Sequence, residues 1–142
     1  MTDPFDLERF IIAQDPIYDR VLQELRTGRK ASHWMWYVFP QLRGLGWTPT
    51  ARRYGIASLD EARAYLGHPI LGPRLLECVG LVLALEGRTA GQIFGYPDEL
   101  KFRSCLTLFG AAAPEVEVLP AALARYYRGE PDRLTLERLA GD

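Results

Sequence analysis

Apolar positions along the chain recur at helical rather than alternating spacing. Ile17, Val21, Leu22 and Leu25 fall on one face of a helix that runs from Asp15-Pro16 to about Thr27. A capping residue with proline opens it, and Gly28 stops it. Ile70, Leu71, Leu75, Cys78, Val79, Val82 and Leu83 repeat the pattern, so Pro69 opens what reads as the longest helix, ending near Leu85 before Gly87. Asp6 is placed to cap a short helix through Phe10 and Gln14. Ser58-Leu59-Asp60-Glu61 has capping-box spacing and heads a helix with Leu59, Ala62 and Leu66 turned inward. Thr89 caps a short helix to Phe94, and another follows Tyr96-Pro97-Asp98 through Phe109. Residues 119–127 and 134–139 read as the last two helices, the final one capped by Asp132. Residues 29–39 read as a helix ending before Pro40, 41–49 as loop and 50–54 as a helical turn. Strands lack support: the aromatic run 34–39 has strand propensity but no hairpin partner. The expectation is an all-α fold, a single compact domain over 1–142 built of short helices, with little or no sheet and helix in more than roughly half of the residues.

Composition narrows the class. Over 142 residues, 48% hydrophobic and 25% charged positions match the globular average and exclude disordered, collagen-like and disulfide-scaffold chains. The longest apolar run, 79–85, falls well short of the ~18 residues of a membrane helix. Met1-Thr2-Asp3-Pro4 has neither the basic nor the apolar region of a signal peptide. Cys78 and Cys105 form no Cys-x-x-Cys pair and there are only two histidines, so no metal site is expected. These features predict a cytoplasmic protein with reduced thiols. Seventeen basic and 18 acidic side chains give a net charge of −1, which predicts neither nucleic acid nor membrane as partner. No cofactor is implied, and a monomer is the default.

Charge is uneven along the chain. Residues 1–19 hold five acids and one base, and residues 20–53 hold seven bases and one acid. The basic stretch contains Ser32-His33-Trp34-Met35-Trp36-Tyr37-Val38-Phe39-Pro40-Gln41. As a helix, it puts His33, Trp36 and Tyr37 on one face and Trp34 and Val38 on another. One face can enter the core while the other lines a cavity, although large aromatics are first of all core residues. Histidine is the residue type suited to acid–base work near neutral pH, so His33 is the candidate acid or base, with a hydrogen-bonded structural histidine as the plainer reading. Lys101 is one of only two lysines beside fifteen arginines. A compact ammonium is not interchangeable with a guanidinium, which makes Lys101 the second candidate catalytic residue. The plainer reading there is a helical ion pair with Asp98. Arg103 and Ser104 follow Lys101 and can complete an anion cradle. Gly44-Leu45-Gly46 lacks the strand and third glycine of a dinucleotide fingerprint. Arg53, in a basic helix start, is a further candidate for an anion. Cys105, flanked by Leu106 and Leu108, reads as a buried, inert thiol.

Taken together, Ser32 to Leu42, Gly44-Leu45-Gly46, Arg53-Tyr54-Gly55-Ile56, His68-Pro69 with Leu71-Gly72, and Lys101-Phe102-Arg103-Ser104-Cys105 with Leu108-Phe109 resemble the domain-of-unknown-function 1810 family. The resemblance covers nearly the whole chain and implies a mostly helical, mainly bacterial, single-domain protein with no established activity. The residues themselves point to one pocket for a small anionic or nucleotide-like ligand. His33 and Lys101 are its candidate catalytic residues, and Trp36, Tyr37, Gln41, Arg53, Arg103 and Ser104 its candidate ligand contacts. The alternative is a helical protein-interaction module that uses an exposed aromatic patch. A concave pocket with convergent polar groups distinguishes the first from the second.

Overall fold

The computed structural model describes residues 2–141; Met1 and Asp142, the ends of the expected span, lie outside the described residues. Ten helices take in 64% of the described residues. In chain order they are α1 (Glu8–Gln14), α2 (Tyr18–Thr27), α3 (Met35–Val38), α4 (Pro49–Tyr54), α5 (Leu59–Gly67), α6 (Leu71–Ala84), α7 (Ala90–Phe94), α8 (Asp98–Ala112), α9 (Val118–Tyr127) and α10 (Arg133–Gly141). Among the described residues there is no strand; one parallel bridge joins Leu42 to Ile56 and closes the loop that carries α4.

Helix α8 is the hub. Phe102, Cys105, Leu106, Leu108 and Phe109 are buried, and the helix packs against α3, α5, α7, α9 and α10. At 15 residues it is longer than α6, which has 14 and starts later than Pro69 suggests. The His68 ring sets that start: its Nδ1 accepts from the amides of Ile70 and Leu71. The buried face of α6 is Leu71, Leu75, Cys78, Val79 and Val82, whereas Ile70 is exposed. Aromatic rings link the layers. Phe39 meets Phe94 and Phe102 edge-on, and Tyr65 lies between Phe10 and Phe109. Burial pushes the Cys78 thiol up to about 12 and Cys105 well above its ordinary value, which leaves both as apolar filling. Among the described residues no single helix is long and apolar enough to cross a membrane.

Several caps form as the spacing predicts. Thr89 and Gln92 make a reciprocal capping box, Asp132 accepts from the amide of Thr135, and Gly28 ends α2 at φ +82°. Three differ. The carboxylate of Asp3, not Asp6, takes the amides of Leu7 and Glu8. Asp15 caps nothing, because its carboxylate pairs with Arg74 at 2.8 Å. Ser58 caps α5, yet Glu61 does not reach back to it. Glu61 Oε1 accepts from the amide of Ala57, and Oε2 takes Arg9 Nη2 at 2.7 Å.

That last contact explains how α1 is anchored. Arg9 is buried, and all five of its N–H groups are engaged: by the carbonyls of Phe5, Asp6, Arg53 and Gly55, and by Glu61. A buried guanidinium is tolerated only with such full compensation. Removing one partner leaves the other charged and dry. Glu61→Ala is therefore expected to cost about 3–5 kcal/mol in urea unfolding. A cost below about 1 kcal/mol, the range of surface pairs, contradicts this account.

Candidate functional site

Residues 29–34 are irregular, although the sequence predicts a helix across 29–39; only Met35–Val38 is helical. Three backbone donors of this segment have partners outside it. The Lys30 amide donates to Ile93 O, and the amides of Ala31 and Ser32 both donate to Glu24 Oε1. Glu24 is buried on α2 and also accepts from the Ser32 hydroxyl and from Trp34 Nε1 at 2.9 Å. Burial raises its carboxyl pKa, but these hydrogen bonds outweigh burial and hold it below the usual glutamate value.

Pinned in this way, Trp34 enters the core with Met35, Val38 and Phe39, while Trp36 and Tyr37 stay half-buried and face outward. They line a cleft of about 480 Å³. His33 lies on its wall, and Thr50 and Tyr54 of α4 also line it. Tyr37 and Tyr54 have ring centroids 5.2 Å apart, and the Tyr37 hydroxyl donates to His33 O. Gly46 backs the Trp36 ring: a Cβ there would lie 2.9 Å from Trp36 Cη2.

The charged end of the cleft gathers both lysines of the chain on one carboxylate. Lys30 Nζ lies 2.7 Å from Asp98 Oδ2, and Lys101 Nζ lies 3.1 Å from Oδ1. Each ammonium also sits over an indole, Lys30 at 5.1 Å from the Trp34 ring and Lys101 at 4.3 Å from Trp36. Burial raises the Asp98 pKa, but hydrogen bonds and charge from Lys30 and Lys101 hold it below the usual aspartate value. Lys30 is only 7% exposed and also donates to Ser32 O, which makes it a strut. Lys101 is 20% exposed and donates only to Asp98 among the described residues. An ammonium has three N–H donors, so Lys101 keeps donors for the cleft.

Of the candidates read from sequence, His33, Trp36, Tyr37 and Lys101 come together here. Gln41 and Ser104 do not line the cleft. They face a neighbouring cavity of about 240 Å³ on the other side of Trp36 and Lys101, and the Ser104 hydroxyl donates to Leu100 O of its own helix. Arg53 does not line the cleft: Thr50 and Tyr54 are the α4 residues that do, and Arg53 meets Asp6 at 3.4 Å in solvent. Arg103 is two residues beyond Lys101, roughly 200° around the helix. Its guanidinium donates to Glu130 and lies over Tyr127, so the expected Lys101–Arg103 cradle does not form. Lys30, Thr50, Tyr54 and Asp98 complete the site instead. The rarity of lysine marks Lys30 as clearly as Lys101, whereas nothing local marks Thr50 or Tyr54.

Fold and site together define an all-helical protein with an aromatic-walled cleft and a lysine–aspartate–lysine cluster at one end. Residues 4–139 match the family described as "Protein of unknown function (DUF1810)", and the chain belongs to that family. It is similar to the crystal structure of the conserved hypothetical protein Rv1873 from Mycobacterium tuberculosis, at 58% identity and a TM-score of 0.96, over 97% of this chain and 99% of that one. No curated protein matches the chain.

Glu24→Gln tests how the cleft wall is held. The variant keeps the shape but replaces one acceptor oxygen with a donor, and is expected to lose about 1–3 kcal/mol at neutral pH in urea unfolding. Because the folded Glu24 pKa is depressed, its contribution is fully present above the ordinary glutamate value and is lost as pH falls through the folded value. The variant therefore loses less stability than the parent on acidification. Equal stability and an equal acid response contradict the assignment.

Proposed function

We propose that this protein binds a small anionic, nucleotide-like molecule in the cleft, with Lys101 as its anion contact and Trp36 and Tyr37 as its flat walls. The observation that carries this reading is the convergence of the chain's two lysines on Asp98 beside those rings. The Asp98 carboxylate offsets one of the two ammonium charges, so the cluster stays net positive. Lys101 retains donors beside an indole face, which suits a phosphate next to a stacked ring. The reading is of binding. A histidine base is normally oriented by a hydrogen bond from its second nitrogen, and the His33 ring makes none among the described residues. A cytoplasmic setting accompanies the reading, in keeping with two buried free thiols.

A protein-binding surface is the second reading, favoured by Trp47 and Tyr96, each 81% exposed. The two readings separate by titration calorimetry at low ionic strength with AMP as probe. Lys101→Met keeps the stem over Trp36 and leaves Asp98 paired with Lys30. It is expected to weaken AMP binding by about tenfold or more with little change in melting temperature. Trp47→Ser leaves AMP binding unchanged. No AMP binding by the parent protein, or equal binding by Lys101→Met, overturns the proposal.

A further inference from the structure

We infer that the ligand carries two separate anionic groups, the second held by Arg20 on the far side of His33; this rests on the reading above. A second cavity, of about 340 Å³, shares His33, Trp34 and Tyr37 with the cleft and extends it toward α2, where Arg20 and Ser32 line it. The shared residues make the two cavities neighbouring compartments, with His33 and Tyr37 between them. Lys101 serves one compartment and Arg20 the other.

Arg20 is exposed and makes no hydrogen bond or ion pair among the described residues. The acid four residues on, the ordinary helical partner for such a cation, is Glu24. Its carboxylate is turned inward and taken up by Ala31, Ser32 and Trp34. The same contacts engage the Ser32 amide and hydroxyl, so the donors left to this compartment are the Arg20 guanidinium and the His33 ring. A guanidinium offers a fork that fits phosphate or carboxylate in two-point contact. Two cations with aromatic walls between them suit a molecule whose anionic groups sit on different parts of its frame. A polyphosphate chain, with all its charge at one end, engages only one of them.

Three nucleotides separate charge from its placement: AMP, ADP and adenosine 3′,5′-bisphosphate, titrated at one ionic strength. ADP adds charge at the same end, and the bisphosphate adds it elsewhere. The bisphosphate is expected to bind about tenfold tighter than either AMP or ADP. Arg20→Gln removes that gain and leaves AMP within about twofold, whereas Lys101→Met weakens all three. The inference is overturned if the bisphosphate binds no better than ADP, or if Arg20→Gln weakens AMP as much as the bisphosphate. In both cases AMP binding that depends on Lys101 leaves the single-anion reading standing. Absence of binding by all three overturns both.

Discussion

Glu24 lies buried with no salt-bridge partner among the described residues, and a carboxylate in that position needs hydrogen-bond donors to offset its lost hydration. It draws them from residues 31–34: two backbone amides, a hydroxyl and an indole N–H. The consequences run outward from there. Segment 31–34 is irregular, with two of its amides, the Ser32 hydroxyl and the Trp34 indole all turned to this one carboxylate. Trp34 is drawn into the core by its own N–H. With Trp34 inward, the short α3 that follows turns Trp36 and Tyr37 toward solvent, and His33 is left on the wall between two cavities.

A second carboxylate completes the clamp from the other side. Asp98 begins α8, the hub of the core, and reaches Lys30 at the start of the irregular segment. The segment is therefore held by α2 through Glu24 and by α8 through Asp98. The two devices differ in what they leave available. Glu24 is consumed by its contacts, and so is the Arg9–Glu61 pair that anchors α1. The Lys30–Asp98–Lys101 cluster is incomplete by comparison, since Lys101 keeps N–H groups unmatched among the described residues at a partly open site. Lysine suits this role because its ammonium is compact enough to share one carboxylate and still lie over an indole.

The helical class and most element positions were legible in the chain, because capping residues and apolar spacing are local signals. Thr89, Gly28 and Asp132 act where their spacing places them. The split of the aromatic segment into core and cavity faces was legible for the same reason. What escaped depends on contacts between distant residues. Residues 29–34 have helical propensity, but their amides go to Glu24 and Ile93. Asp15 looks like a cap, and Arg74, far along the chain, claims it. Arg103 and Arg53 failed as site residues through rotation about a helix, which a list of neighbouring charges does not encode. Lys30 and Asp98 carry the site as much as Lys101 does, yet their pairing joins segments that sequence spacing alone does not bring together.

The chain's three tryptophans occupy three different environments, and their indole N–H signals report on the central claim directly. Trp34 is buried with its N–H on Glu24, Trp36 lines the cleft, and Trp47 is 81% exposed. In a proton–nitrogen correlation spectrum titrated with AMP, a ligand in the cleft shifts the Trp36 indole signal strongly, shifts Trp34 less because its N–H is held on Glu24, and does not move Trp47. A Trp36 signal that stays fixed while Trp47 moves, or no movement of any indole, contradicts the account.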